Sequence, residues 1–190
     1  IYGFVAWLFM LWFPTYLTEG RGFTTMEMGV VGMLPIGAGF VGVMTGGWLG
    51  DYLVKRGVSA RMSRVRMPGL FILASAPFLI IGVNVESNNF GVVSFGMFYA
   101  LFSAALSGFW AVPLELNPKF VGSIIGLANS FGNGVGVLGP IAAGQILERT
   151  NDDWQIVFYL AAFLTVALGI IYGIFVKADK LEFGSSRSSK

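Results

Sequence analysis

Residues 28–57 read MGVVGMLPIGAGFVGVMTGGWLGDYLVKRG, and no charge interrupts positions 28–50 before Asp51, Lys55 and Arg56 arrive together. At about 1.5 Å of rise per residue, an uncharged helix of that length matches a hydrocarbon layer about 30 Å thick. A helix on the surface of a water-soluble core needs a polar face, and this run offers only Thr45. Gly42, Gly46 and Gly50 recur every four residues and form one flat strip on which a second helix backbone can lie. The strip serves either static packing or a surface along which helices rock. The stretch reads as a membrane span that ends at a charged boundary.

The rest of the chain repeats the pattern. Its 190 residues are 55% hydrophobic, 15% aromatic and 12% charged, with a mean hydropathy of +0.75, a balance that calls for lipid as the main solvent. Six apolar stretches, residues 1–17, 28–53, 68–83, 90–113, 121–147 and 154–176, are each long enough to cross with some tilt. The expectation is an all-α membrane protein of six transmembrane helices over residues 1–177, followed by a disordered cytoplasmic tail, 178–190. The opening span lacks an initiator Met and a basic leader segment, so the chain is expected to begin inside a helix, as a fragment would.

Charge sits in the connections. If the loops alternate across the bilayer, all twelve basic residues but Arg21 and Arg149 fall on one side. The positive-inside rule makes that side cytoplasmic and places both ends of the chain there. Within the boundary loop, Asp51 can pair with a nearby cation such as Lys55 or Arg56, giving a latch that must open when helices separate. The plainer reading is an anchoring loop whose basic residues, Arg61, Arg64 and Arg66 included, only set topology.

Cysteine and histidine are absent, which removes thiol nucleophiles, histidine acid–base chemistry and most zinc sites. No enzyme activity, cofactor or metal is expected. Gly132-Asn133-Gly134 follows no strand, so a nucleotide loop fails its context and no nucleic-acid partner is expected. No Arg, Lys, Asp or Glu lies near the centre of a span, although such groups mark ion and proton pathways.

What remains is neutral polar and aromatic lining. Asn129 and Asn133 share a helix face at i, i+4, and either line a solute path or bond a neighbouring helix. Ser130 replaces Asn129 if the register shifts by one. Ser107 and Trp110 share a face at i, i+3, where an indole in mid-span offers a flat wall and an N–H donor. Trp7 can face the same cavity, whereas Trp12 and Tyr16 read as an outer aromatic belt.

The segment GGWLGDYLVKRG (46–57) resembles, in a loose form, the loop signature of the major facilitator superfamily. WFPTYLTEGRGFTTMEMG (12–29), PLELNPKFVGSIIGLANSFGN (113–133), GPIAAGQI (139–146) and WQIVFYLAA (154–162) resemble its anion:cation symporter family. That family includes transporters of hexonates, hexuronates and aldarates, and the sialic-acid and vesicular glutamate transporters. Leu114-Glu115-Leu116-Asn117-Pro118 departs from the animal pattern and looks closer to microbial members. The resemblance implies the C-terminal six-helix half of a twelve-helix symporter, built of two inverted three-helix repeats in the plasma (inner) membrane. It also implies Asn129 as a substrate-lining residue. The implied partners are a small organic anion, a co-transported proton or sodium ion, the lipid bilayer and an N-terminal half carrying the buried charges. A self-contained six-helix channel or oligomeric pore is the alternative.

Overall fold

The computed structural model describes residues 1–116 and 120–176, with the backbone alone at 115 and 116; the expected tail, 178–190, and the Asn117-Pro118 segment lie outside the described residues. These residues form helices and connecting turns, with no strand among them. Helix α1 (Tyr2–Thr15) runs into a π-helical turn (Tyr16–Gly20), and α2 (Thr25–Val31) leads directly to α3 (Met33–Lys55). A second π-helical turn (Met62–Arg66) opens α4 (Met67–Asn84). Then follow α5 (Asn88–Ala104), α6 (Leu106–Leu116), α7 (Val121–Gly136), α8 (Leu138–Thr150) and α9 (Trp154–Phe175).

Local chemistry sets these limits. Thr24 and Glu27 form a reciprocal capping box that starts α2. The Ser87 and Asp153 side chains accept backbone N–H bonds at the starts of α5 and α9. The α2/α3 break falls three residues before Pro35, and the α7/α8 break three residues before Pro140. Proline removes the bond to the carbonyl four positions back, here Val31 and Gly136, so each helix loosens at that turn.

Five continuous helical stretches are long and apolar enough to cross a membrane: Thr25–Lys55, Met62–Asn84, Asn88–Leu114, Val121–Thr150 and Trp154–Phe175. The chain is an integral, multi-pass, all-α membrane protein. Helix α1 with its π turn is not among the five, since Pro14, two threonines, two tyrosines and Glu19 dilute its hydropathy. It is nonetheless central. Val5, Leu8, Phe9 and Phe13 are buried in the main core with Phe95, Phe98, Phe102 and Phe158.

The helices pair with a two-fold pattern. The α2/α3 stretch lies along α5, and α1 lies along α7 and α8. Exchanging the first three stretches for the last three turns one pair into the other and leaves the α4–α9 pair unchanged. Glycine sets both intimate contacts. A β-carbon on Gly42 or Gly46 would overlap the carbonyl of Ala100 or Ala104 in α5. On the other pair, a β-carbon at Gly3 would overlap the Gly132 carbonyl, and one at Gly139 that of Phe4. Small residues are what allow backbones this close. Gly122 and Gly126, by contrast, face open space.

The two ends of the bundle differ chemically. At one, Arg21 donates to the carbonyls of Gly82 (2.5 Å) and Val85 (2.6 Å) and to the Tyr16 hydroxyl (2.6 Å). The guanidinium thereby caps the C-terminus of α4, whose last carbonyls have no partner inside the helix. Asp152, Asp153 and Trp154 line a hollow at this end with Tyr16 and Arg21. Tyr16 is 3% exposed and Trp12 donates to the Pro140 carbonyl at 2.9 Å. Neither forms the lipid-facing belt expected of them, because each finds a polar partner inside the bundle. At the opposite end gather the basic residues of the loop that follows α3.

Candidate functional site

A cavity of about 370 Å³ opens between the start of α1, the length of α6 and the middle of α7. Tyr2, Trp7, Phe109 and Trp110 form its aromatic walls, and Asn129 and Asn133 supply its amides. Among the described residues, none that lines it is charged. Helix α7 reaches this position because its small residues let α1 approach. Gly136 touches the Trp7 ring, and the Gly3–Gly132 contact brings Trp7 level with Asn133.

The amides are ordered by one chain of hydrogen bonds. Trp7 Nε1–H donates to Asn133 Oδ1 at 3.0 Å. An indole nitrogen only donates, so it fixes that oxygen toward α1 and turns Asn133 Nδ2 the other way. Asn133 Nδ2 then donates to Asn129 Oδ1 (2.9 Å) and to the Asn129 carbonyl (3.0 Å). Asn129 Nδ2 is left with no partner among the described residues, and Trp110 Nε1 is in the same position. Both open groups donate. A neutral wall with unfilled N–H donors suits the oxygen atoms of an anion.

Asn129, Asn133 and Trp110 therefore meet in one cavity, as does Trp7. Ser107 does not join them. Its hydroxyl donates to the Ala104 carbonyl of the preceding turn at 2.9 Å, and its β-carbon faces Gly47 of α3. The turn at Ala105 between α5 and α6 sends Ser107 toward α3 while Trp110 faces α7. Ser130 bonds the Gly126 carbonyl of its own helix at 2.9 Å and is absent from the lining.

Sequence reasoning missed what joins these residues. The Trp7–Asn133 bond spans 126 positions, and no local spacing announces it. The one local signal was the glycine at 136, which marks the side of α7 that α1 approaches.

At the basic end, Asp51 Oδ1 accepts from Arg64 NH2 at 2.6 Å. Arg64 is 15% exposed in this pair and Asp51 61%. The arginine also lies against Gly50, where a β-carbon would come within 2.9 Å of NH1. Ser63 Oγ donates to the Gly50 carbonyl at 2.6 Å, and Tyr172 of α9 donates to the Arg64 carbonyl at 3.1 Å. One loop thus ties together α3, α4 and α9. Lys55 and Arg56, the partners expected for Asp51, lie elsewhere: Lys55 ends α3, and Arg56 sits 5.0 Å over the Tyr52 ring. Trp48 stacks on Tyr52 from the previous turn, so the exposed side of this helix end is an aromatic and cationic stripe.

Comparison with known proteins follows the same line. No family model matches the chain. It is 29% identical over 92% of its length to a probable sulfoacetate transporter of Cupriavidus necator. It is 31% identical over 78% to a probable galactarate/D-glucarate transporter of Escherichia coli K12. It is 29% identical over 93% to an ascorbate transporter of Arabidopsis thaliana chloroplasts. These relatives are named as transporters, not enzymes. The chain spans 40%, 33% and 32% of their respective lengths.

Proposed function

We propose that this chain is the C-terminal half of a major facilitator of the anion:cation symporter family, moving a small organic anion by alternating access. The single observation that carries the reading is the cavity whose unpartnered nitrogens, Asn129 Nδ2 and Trp110 Nε1, both donate, in a wall with no charged side chain among the described residues. Relatives named for sulfoacetate, galactarate/glucarate and ascorbate support an anionic cargo. Helix α1 completes a sixth span, and both ends of the chain face the cytoplasm of a plasma (inner) membrane, following the asymmetry of Lys and Arg.

The charges needed for coupling come from elsewhere. A proton-coupled or sodium-coupled carrier of a carboxylate needs an embedded cation and an embedded acid, and among the described residues no lining residue of this cavity is either. An N-terminal half carrying those groups would close over the least buried stretches. Of their most apolar 18 residues, Thr25–Lys55 and Val121–Thr150 bury 17% and 6%, against 44% or more in the other three. The two halves would then rock about the cavity, with the proline breaks before Pro35 and Pro140 as points of bending. The Asp51–Arg64 pair acts as the latch at the basic end, with Lys55 and Arg56 anchoring the boundary.

The test is uptake by proteoliposomes holding the full-length protein that contains this chain. Accumulation of glucarate or sulfoacetate above its outside concentration, driven by an inward proton or sodium gradient, is the expected result. Uptake that only equilibrates and ignores both gradients would instead favour a channel.

A further inference from the structure

A second hollow lies on the outside of the bundle, away from the aromatic cavity. Helices α4 and α9 touch through glycine: a β-carbon on Gly69 would stand 3.2 Å from Gly173 Cα and 3.3 Å from the Gly169 carbonyl. Where side chains are missing, the surface dips into a groove of about 320 Å³ walled by Leu70, Leu73, Ile170 and Ile174. Arg66 stands at its mouth, exposed, with no hydrogen-bond or ion-pair partner among the described residues. Arg64, two residues before it, is occupied by Asp51.

We propose that this groove binds one anionic phospholipid, with an acyl chain along the α4–α9 seam and the phosphate held by Arg66. The occupant follows from where the two parts lie. Leu70 and Ile174 are 61% and 60% exposed on a membrane helix face, which meets hydrocarbon rather than water. Arg66 sits at the basic end of α4, where a long side chain reaches the headgroup layer. A single cation there favours an anionic over a zwitterionic headgroup by about 1 kcal/mol, roughly fivefold in retention. Among the described residues, no other side chain along the groove is polar, so an aqueous solute gains little there.

Gly173 gives a direct test, because a β-carbon added there meets no atom within 4 Å and starts a side chain into the groove. Full-length protein is reconstituted in nanodiscs of equal palmitoyl-oleoyl phosphatidylglycerol and phosphatidylcholine, extracted, and examined by native mass spectrometry. One retained phosphatidylglycerol is expected, reduced about fivefold or more in both Arg66→Gln and Gly173→Leu. Thermal melting confirms that each variant is folded, and Gly173→Val replaces the leucine if it is not. Equal retention of phosphatidylcholine, or wild-type retention in either folded variant, overturns the proposal. Displacement by glycerol 3-phosphate, which lacks a chain, would assign Arg66 to a soluble anion and also overturns it.

Discussion

Trp7 and Asn133 stand 126 residues apart in sequence and are joined by a 3.0 Å hydrogen bond from the indole N–H to the amide oxygen. The bond has a direction, and the direction decides what the cavity offers. With Asn133 Oδ1 occupied, its nitrogen serves Asn129 Oδ1, and the nitrogen of Asn129, a lining residue, is left without a partner among the described residues. An aromatic residue at one end of the chain thereby sets the polarity of an amide near the other.

Trp7→Phe keeps the ring but removes the donor. The Asn133 amide keeps its Nδ2 bonds to Asn129 but loses the bond that anchors its oxygen, so the Asn129 donors are held less firmly. One neutral hydrogen bond contributes about 0.5–1.5 kcal/mol. Uptake at low substrate should fall about two- to tenfold, with expression and melting temperature close to wild type. Trp7→Leu, which also removes the wall, should do worse in the same assay.

Gly46→Leu should disrupt the fold rather than the site. Its β-carbon would already overlap the Ala104 carbonyl, a backbone atom that cannot swing aside. Overpacking of this kind costs about 1–3 kcal/mol or more, and here it separates α3 from α5. A drop in detergent melting temperature measures it. The same change at Gly122, which faces open space, should leave the melting temperature alone.

Arg21→Lys should fail to replace arginine. The guanidinium reaches Tyr16 through Nε, Val85 through NH1 and Gly82 through NH2, a fork that a lysine ammonium cannot copy. Hydrogen bonds from a charged donor contribute about 1.5–3 kcal/mol each, and losing two should destabilise the α4 terminus strongly. Hydrogen exchange at residues 82–86 is the local readout, with faster exchange expected in the variant.

Asp51→Asn should act on conformational balance and leave folding intact. The pair is half open to solvent on the Asp51 side, so it contributes about 0.2–1 kcal/mol. The chain has no cysteine of its own, so single cysteines placed beside Asp51 and Arg64 report accessibility cleanly. Labelling should rise by up to about fivefold in Asp51→Asn. Added salt should narrow the difference between variant and wild type.

Much of the fold was legible because lipid enforces a simple code. Long uncharged runs became helices, and Gly42 and Gly46 became a helix contact, since backbone satisfaction and close packing leave few other options. The breaks at Gly32 and Val137 were written in Pro35 and Pro140, four residues after the carbonyls they release. Asn129, Asn133 and Trp110, singled out by residue type and spacing, line one cavity. Ser107 does not, because the turn at Ala105 rotates α6 relative to α5 and spacing within one helix cannot register it. Tyr16 and Trp12 read as a belt from position alone. Their partners, Arg21 across the π turn and the Pro140 carbonyl 128 residues away, are tertiary. Asp51 took Arg64 rather than Lys55 or Arg56 because the loop turns back on itself, while Arg56 stays on α3's helical period and meets Tyr52.

Under the proposed function, Asn129 is the donor that meets the transported anion. Initial rates of radiolabelled glucarate and sulfoacetate uptake should be compared in proteoliposomes of wild type, Asn129→Ala and Asn129→Asp, at matched amounts of folded protein. The account predicts a loss of about two- to tenfold for alanine. It predicts a larger loss for aspartate, whose carboxylate repels the same solute. Wild-type rates in both variants, for every anion the protein carries, would contradict it.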